Sequence, residues 1–260
     1  MSNIYLELTG QFNEGRLRAI ISSGQAVVLH RLAIMSKDGD WILREDAETM
    51  QHVLRVLGAH GARYRFGAPL DLRWMAGGWS AHFEFRQEQL RVRTDFVTRP
   101  ARIEAKSLDR LWSEVDSERP VVDPASLVEI KKTNREKDYA VIGELARLLN
   151  DPRQQLLTSR SARDLIGLAQ THPALAAALS AERPILRAVA AGRTRLEESL
   201  DAERRQLMRA NEVRLTKYRE AAQRWAQAWP AVNEESGGLH LESAHQLIVR
   251  RALEVLPFTL

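Results

Sequence analysis

Two aspartates that flank a glycine are the residues of this sequence best suited to chemistry. Asp38 and Asp40 lie on either side of Gly39, directly before a short apolar run. On an extended segment, residues two apart project to the same side, so both carboxylates can face one site. Carboxylate oxygens are the ligands that Mg²⁺ prefers, and two Mg²⁺ ions about 3.5–4 Å apart can activate a hydroxyl and neutralise a leaving pyrophosphate. The alternative is that this segment is a polar turn without a metal.

A third aspartate lies in a stretch with the alternation of a strand. Its side chains fall into two sets, with Leu90, Val92, Thr94 and Phe96 on one face and Arg91, Arg93, Asp95 and Val97 on the other. The stretch Ala81–Phe85 also alternates, and a turn at Gln87-Glu88 predicts that the two strands form a hairpin. A carboxylate in such a strand is costly to bury unless it is paired or metal-bound. Asp95 is therefore a third candidate ligand; the alternative is that it faces solvent without a role.

A small-residue turn precedes the paired aspartates. The pattern predicts a short buried strand from Arg18 to Ser23, a turn at Gly24 and a helix from Gln25 to Leu32. Such a turn exposes backbone N–H groups at a helix N-terminus, where phosphate oxygens bind. Ser23 and Gly24 are thus candidate nucleotide-binding residues. The alternative is that the glycine serves only the steric needs of the turn.

Residues 1–150 are predicted to form an α+β domain, and residues 151–260 a helical second domain or partner-binding arm. The first segment adds a strand at Asp40–Leu43 and helices at Asp46–Ala59, Leu108–Val115, Pro124–Lys132 (capped by Asp123) and Glu136–Leu149. In the second segment, strand patterns give way to helices predicted at Ser159–Gln170, Pro173–Leu179, Pro184–Trp229 with a weak point at Gly192, and Glu242–Leu256. Pro230–Gly238 is predicted to be a linker or loop.

The composition is that of a soluble globular protein. The hydrophobic fraction is 44%, the charged fraction 28% and the formal net charge +4, which permits a phosphate-rich partner without requiring one. There is no cysteine, which excludes disulfides and thiolate metal sites and fits a reducing cytosol. No apolar run is long enough to span a bilayer, and the first residues lack the pattern of a signal peptide. We therefore expect a cytoplasmic protein that is not in a membrane.

The order of these features resembles that of a known enzyme superfamily. Residues 23–31 (SGQAVVLHR) and 35–42 (MSKDGDWI), with Asp95 on a later strand, resemble the glycine-serine and Asp-x-Asp motifs of the polymerase-β-type nucleotidyltransferases. The likeness includes the AbiEii/AbiGii-type, MNT-like and MenT-like bacterial proteins. It covers roughly residues 15–150 and implies a nucleotidyltransferase-like mixed sheet flanked by helices. The turn usually reads Gly-Ser or Gly-Gly in that superfamily, and this chain has Ser23-Gly24.

A basic segment extends the resemblance. Residues 131–138 (KKTNREKD) resemble the lysine, arginine and basic-Asp pair that AbiEii-like proteins carry across two helices. The resemblance implies that Lys131 or Lys132, with Arg135 and Lys137, contacts nucleotide phosphates, and that Asp138 orients those basic groups. Lys131 and Arg135 would share a helix face if the helix is continuous. The alternative is a solvated helix junction with an Asp cap.

Together these residues predict a Mg²⁺- or Mn²⁺-dependent transferase. Asp38 and Asp40 would bind both metals, and Asp95 would complete the site and help deprotonate the acceptor hydroxyl. The resemblance implies an NTP donor, a tRNA 3′ end or a protein hydroxyl as acceptor, and a bacterial toxin–antitoxin or phage-defence setting. Two other functions are open: a catalytically silent subunit that holds a partner protein through residues 151–260, and a nucleic-acid-binding protein without catalysis, for which salt-sensitive RNA binding is expected.

Overall fold

The central element is a mixed β-sheet, seen here in a computed structural model that describes residues 3–260. Its strands run in the order β1-β2-β5-β4-β3. Neighbouring strands are antiparallel except β2 and β5, which are parallel. The strands are β1 (Ala19–Ser22), β2 (Gly39–Leu43), β3 (Arg63–Tyr64), β4 (Ala81–Gln87) and β5 (Leu90–Val97). The predicted hairpin is confirmed, since β4 and β5 pair from Ala81↔Phe96 to Gln87↔Leu90.

Helices precede, connect and follow these strands. In the first part of the chain they are α1 (Ile4–Phe12), α2 (Ser23–Leu29), α3 (Ala47–Ala59), α4 (Leu72–Met75), α5 (Ala105–Glu114), α6 (Pro124–Lys131) and α7 (Glu136–Arg147). Beyond these lie α8 (Pro152–Thr158), α9 (Ala162–Thr171), α10 (Pro173–Leu179), a 3-10 helix (Pro184–Ala191), α11 (Arg193–Ala221), α12 (Gln223–Ser236) and α13 (Leu241–Val255). The predicted α+β class, with a helical C-terminal region, is confirmed.

One face of the sheet forms an aromatic core. Trp41 on β2 stacks on Phe96 of β5 with ring centroids 5.4 Å apart. Phe12 of α1 meets the edges of both rings, at 5.3 Å from Trp41 and 5.7 Å from Phe96. Phe83 on β4 continues the layer 5.8 Å from Phe96. Because side chains alternate along a strand, the residues between these aromatics must project from the opposite face.

The chain divides into two compact units. Residues 1–122 and 216–260 form the first, which contains the sheet, and residues 123–215 form the second. These boundaries differ from 1–150 and 151–260 because the last helices pack back on the sheet unit. The Tyr64 hydroxyl on β3, for instance, lies 2.7 Å from Nδ1 of His245 on α13. The assignment of separate functions to 1–150 and 151–260 stays a prediction.

The linker predicted at Pro230–Gly238 is wrong over most of its length. Pro230 lies inside α12, which continues to Ser236. Proline removes one backbone donor and disfavours a helix interior. Here the flanking turns are held by packing, since Trp225 and Val232 are both buried. Tertiary contacts therefore outweigh the local signal, and the chain turns only after Ser236.

Gly192 is the break expected in the long helical segment. Its φ of +92° is unfavourable for other residues, and it separates the 3-10 helix from α11. The helix predicted from Ser159 begins at Ala162 instead, because the Ser161 side chain accepts from the Asp164 N–H and caps it. No helix between residues 3 and 260 combines the length and apolarity needed to cross a bilayer.

Candidate active site

The three candidate metal ligands lie side by side on the polar face of the sheet. Asp40 on β2 is directly opposite Asp95 on the parallel strand β5. Asp38 precedes β2 by one residue, two positions from Asp40. Asp38 and Asp95 are partly exposed, with 41% and 25% of their side-chain surface accessible. The register of β2 and β5 thus brings together two segments more than fifty residues apart in sequence.

A tyrosine that sequence reasoning missed lies next to the segment that carries Asp38 and Asp40. Tyr5 on α1 is buried, and its hydroxyl donates to the Lys37 carbonyl oxygen at 2.7 Å. Burial, then the charges of Asp38, Asp40 and Asp95, raises the pKa of Tyr5 to about 12. At neutral pH the Tyr5 hydroxyl therefore keeps its proton and donates it to Lys37 beside these negative charges.

Gly39 between the paired aspartates permits this arrangement. A Cβ at this position would lie 2.5 Å from a ring carbon of Tyr5 and would overlap the ring of Trp41. Only glycine leaves room for both rings beneath the backbone. The glycine in Asp-Gly-Asp therefore serves packing, while its two neighbours carry the charges.

Arginines and a histidine contact two of these carboxylates. Nη1 of Arg93 lies 3.7 Å from Oδ1 of Asp38, beyond hydrogen-bond distance. That buried oxygen has no hydrogen-bond donor in the described chain. Oδ1 of Asp95 is 2.8 Å from Nδ1 of His82 and 3.3 Å from Nη1 of Arg65. The pairing of His82 with Asp95 follows from the strand register, which places the two residues directly opposite each other.

The donor set suits a hard divalent cation. Adjacent carboxylates repel one another unless a cation neutralises them, and the undonated Oδ1 of Asp38 is the kind of atom that a metal would satisfy. Within residues 3–260 no three His, Asp or Glu side chains are already arranged to hold a metal ion. A bound ion would therefore require the carboxylates to adjust around it, and at Asp95 the oxygen available for this is Oδ2, because Oδ1 already contacts His82 and Arg65.

The predicted phosphate-binding turn lies next to the carboxylates. Ser22 ends β1 directly opposite Asp40, and α2 begins at Ser23, two residues earlier than predicted. Ser23 has a φ of +47°, which is uncommon for a residue other than glycine. A Cβ on Gly24 would overlap the Ser36 hydroxyl, so glycine is needed here for close packing. The nucleotide-binding role of Ser23 and Gly24 stays a prediction.

The basic residues at 131–137 belong to the second compact unit. The helix is not continuous, since α6 ends at Lys131 and α7 begins at Glu136. Asp138 nevertheless contacts two of the basic groups, with Nζ of Lys131 at 3.5 Å from Oδ1 and Nε of Arg135 at 2.9 Å from Oδ2. Lys137 is exposed, and no contact joins it to Asp138 in the part of the chain described. Phosphate binding by these residues stays a prediction.

Asp138→Asn is expected to destabilise the protein by about 3–5 kcal/mol at neutral pH, because Asp138 and Lys131 are a buried ion pair. Burial disfavours the carboxylate, but the Thr133 hydroxyl and the charges of Lys131 and Arg135 outweigh it and hold the pKa of Asp138 below its ordinary value. A depressed pKa stabilises the fold above the unfolded-state pKa, and this contribution is lost as pH falls through the folded-state pKa. Denaturant unfolding from pH 7 to pH 3 should therefore show the difference shrinking below about pH 4.

Asp201→Asn is the matched control for Asp138→Asn. Asp201 is 55% exposed and pairs with Arg204 on the surface of the same unit. Its loss should change the free energy of unfolding by less than about 1 kcal/mol. Equal effects of the two substitutions would contradict the role assigned to the buried pair.

Comparison with known proteins gives two distant structural likenesses. The Helicobacter pylori protein JHP933 aligns over 85% of this chain and 98% of its own, with 11% identity and a TM-score of 0.39. A candidate nucleotidyltransferase from H. pylori aligns over 82% of this chain and 98% of its own, also with 11% identity and a TM-score of 0.39. No family model and no curated protein matches the sequence. What this chain does must therefore be argued from its own site.

Proposed function

We propose that this protein is a Mg²⁺- or Mn²⁺-dependent nucleotidyltransferase that moves a nucleotidyl group from an NTP to an acceptor hydroxyl. The observation that carries the proposal is the convergence of Asp38, Asp40 and Asp95 on the polar face of β2 and β5. Arg65, Arg93 and His82 offset part of this negative charge, but three like charges in one place still raise one another's free energy. A site that receives divalent cations with the nucleotide accounts for them.

The candidate site residues would have separate roles in this reaction. Asp38 and Asp40 would hold both ions, and Asp95 would complete the set and accept the proton of the attacking hydroxyl. When bound, the ions would supply charge neutralisation at the transferred phosphate and the leaving pyrophosphate. Ser23 and Gly24, beside Asp40 at the start of α2, would hold the triphosphate through backbone N–H groups.

The basic residues at 131–137, in the second unit, are proposed to bind the nucleotide and not to take part in the chemical step. Lys131, Arg135 and Lys137 would balance the charge of the triphosphate, as the sequence resemblance implies. Asp138 would keep the first two in place through the contacts already described. The basic side chains are expected to affect nucleotide affinity more than the chemical step.

The polar face of the sheet favours RNA over protein as the acceptor. In the strand register, Arg63 on β3 lies opposite Glu84 on β4, and Glu84 lies opposite Arg93 on β5. These three side chains therefore project from the face that carries Asp95. Arg63 and Arg91 both bind the buried Glu84 yet keep 72% and 55% of their side-chain surface exposed. Exposed arginines on the face that carries the carboxylates suit a phosphate backbone. A toxin–antitoxin or phage-defence setting stays a prediction from the resemblance alone.

A labelling assay tests the proposal. Purified protein is incubated with each α-labelled NTP, Mg²⁺ or Mn²⁺, and either total tRNA or cell lysate, with Asp38→Ala and an EDTA-treated sample in parallel. Label on RNA that disappears in both controls supports the full proposal. Label on protein instead supports the transfer reaction and overturns the choice of acceptor. No label under any condition overturns the enzyme and favours the binding subunit, whose partner would then be sought by pull-down.

A further inference from the structure

We infer that His82 is a positioning residue, which holds the Asp95 carboxylate in place for metal binding, and that Ser80 fixes the orientation of its ring. The inference rests on the proposed function, because it concerns how one of the three carboxylates is presented. It goes beyond that function by naming two residues for which neither the sequence motifs nor the likeness to other proteins suggests a role.

Ser80, His82 and Asp95 form a continuous hydrogen-bonded chain. Nδ1 of His82 lies 2.8 Å from Oδ1 of Asp95, and Nε2 of His82 lies 2.8 Å from the Ser80 hydroxyl. A carboxylate only accepts, so Nδ1 must carry the proton that it donates to Asp95. In the neutral ring Nε2 then accepts from the Ser80 hydroxyl. The serine thereby selects the tautomer in which the histidine holds the aspartate.

The backbone fixes the histidine ring from the other side. A Cβ on Gly67 would overlap the ring edge of His82, so the ring lies directly on the glycine backbone. The carbonyl of Gly67 accepts at 2.8 Å from the indole N–H of Trp225, which is fully buried on α12. His82 is therefore confined between a strand, a glycine backbone and a hydroxyl, and has little freedom to leave Asp95.

In this arrangement the two carboxylate oxygens of Asp95 have different surroundings. Oδ1 is occupied by His82 and, at 3.3 Å, by Arg65. Among the described residues no donor contacts Oδ2. One oxygen is therefore fixed by donors and the other is left for a cation. Partners of this kind orient metal ligands in proteins, and their loss commonly weakens metal affinity about 10–100-fold.

The same three residue types also form the triad of serine hydrolases, but the surroundings argue against a nucleophilic Ser80. A hydrolytic triad needs donors that stabilise an oxyanion beside the serine. Here the neighbour of Asp95 on the next strand is Asp40, with Asp38 two residues away. Negative charge on this side disfavours an oxyanion. The chain from Ser80 is therefore better suited to positioning a carboxylate than to attacking an ester.

Titration with Mn²⁺ alone, followed by calorimetry or by the electron paramagnetic resonance signal of free Mn²⁺, tests the inference. His82→Ala is expected to weaken Mn²⁺ binding about 10–100-fold. In His82→Asn the side-chain amide can take the place of Nδ1 and should restore most of the affinity. In His82→Gln the amide lies nearer the position of Nε2 and should not. A role in packing alone would not separate Asn from Gln, so this comparison stays decisive even if His82→Ala unfolds.

His60→Asn is the matched control, since the His60 ring contacts the Gln11 side chain and the Phe85 ring and takes no part in the hydrogen-bonded chain to Asp95. It should bind Mn²⁺ as the unmodified protein does. Unchanged affinity in both His82→Asn and His82→Gln, with Asp38→Ala still impaired, would overturn the positioning role and leave the proposed function intact. Absence of Mn²⁺ binding by the unmodified protein would overturn both. Labelling of Ser80 by a fluorophosphonate would overturn the inference in favour of a hydrolase.

Discussion

Asp40→Asn is expected to lower kcat/KM for nucleotide transfer by at least about 10²–10³-fold. The substitution keeps the shape of the side chain and removes its charge, at the position where Asp40 lies opposite Asp95 in the sheet. Metal-assisted stabilisation of the transferred phosphate is worth several kcal/mol, and each 1.36 kcal/mol corresponds to about a factor of ten in rate. Single-turnover transfer of label from an α-labelled NTP, at saturating Mg²⁺, measures the loss.

Asp109→Asn is the control for this substitution. Asp109 lies exposed on α5, so its replacement removes one negative charge without touching the site. Its activity should stay within about twofold of the unmodified protein, because exposed charges of this kind contribute little. Asp40→Asn should also remain folded, since relief of repulsion from its neighbours offsets lost contacts. Near-normal transfer by a folded Asp40→Asn protein would rule out the metal site proposed here.

Trp41→Ala is expected to cost about 3–5 kcal/mol of the free energy of unfolding. Trp41 is 1% exposed, is packed between Phe12 and Phe96, and donates its indole N–H to the Thr9 hydroxyl at 2.9 Å. Its removal leaves a cavity between α1 and the sheet. Urea unfolding followed by far-ultraviolet circular dichroism measures the change as a lower midpoint.

Trp112→Ala provides the comparison. Trp112 is only partly buried and lies beneath the guanidinium of Arg44, with the ring centroid 4.4 Å from Cζ. An exposed cation–π contact is worth about 0.5–1 kcal/mol. Trp112→Ala should therefore lower the free energy of unfolding much less than Trp41→Ala does. Trp41→Phe should fall between them because it keeps a ring in the core and loses the hydrogen bond. A Trp41→Ala protein as stable as Trp112→Ala would contradict the core described here.

The sequence predicted those features of the fold and the site that depend on residues close together in the chain. The alternation along residues 90–97 places Asp95 on a face opposite Phe96, and the burial of β5 follows it from Val92 to Val97, while Leu90 is exposed. The cap at Asp123 also depends only on nearby atoms, and its side chain accepts from the N–H groups of Ala125 and Ser126 as expected. A period of two and a capping residue are visible in sequence because the contacts span only a few residues.

The contacts that the sequence did not reveal are long-range. Tyr5 reaches Lys37 across 32 residues, and its helix α1 is too short for its periodicity to stand out. His82 meets Asp95 only because of the exact pairing of β4 with β5, which alternation alone does not fix. The polar face of Ala81–Phe85 was visible in the sequence and would have marked His82 as a candidate. That Asp95 is the partner of His82 follows only from the register of β4 and β5.

The split of the sheet unit along the chain bears on when the site could become active during synthesis. The sheet and all three aspartates precede residue 123, but Trp225, which binds the backbone behind His82, follows the whole intervening unit. A nascent chain would carry every proposed metal ligand long before it carried the indole that supports the Gly67 backbone. Under the proposed function, this order would delay completion of the site until translation had passed the intervening unit. A frameshift within residues 123–215 would then yield a sheet unit that carries all three aspartates and lacks the indole that supports the Gly67 backbone.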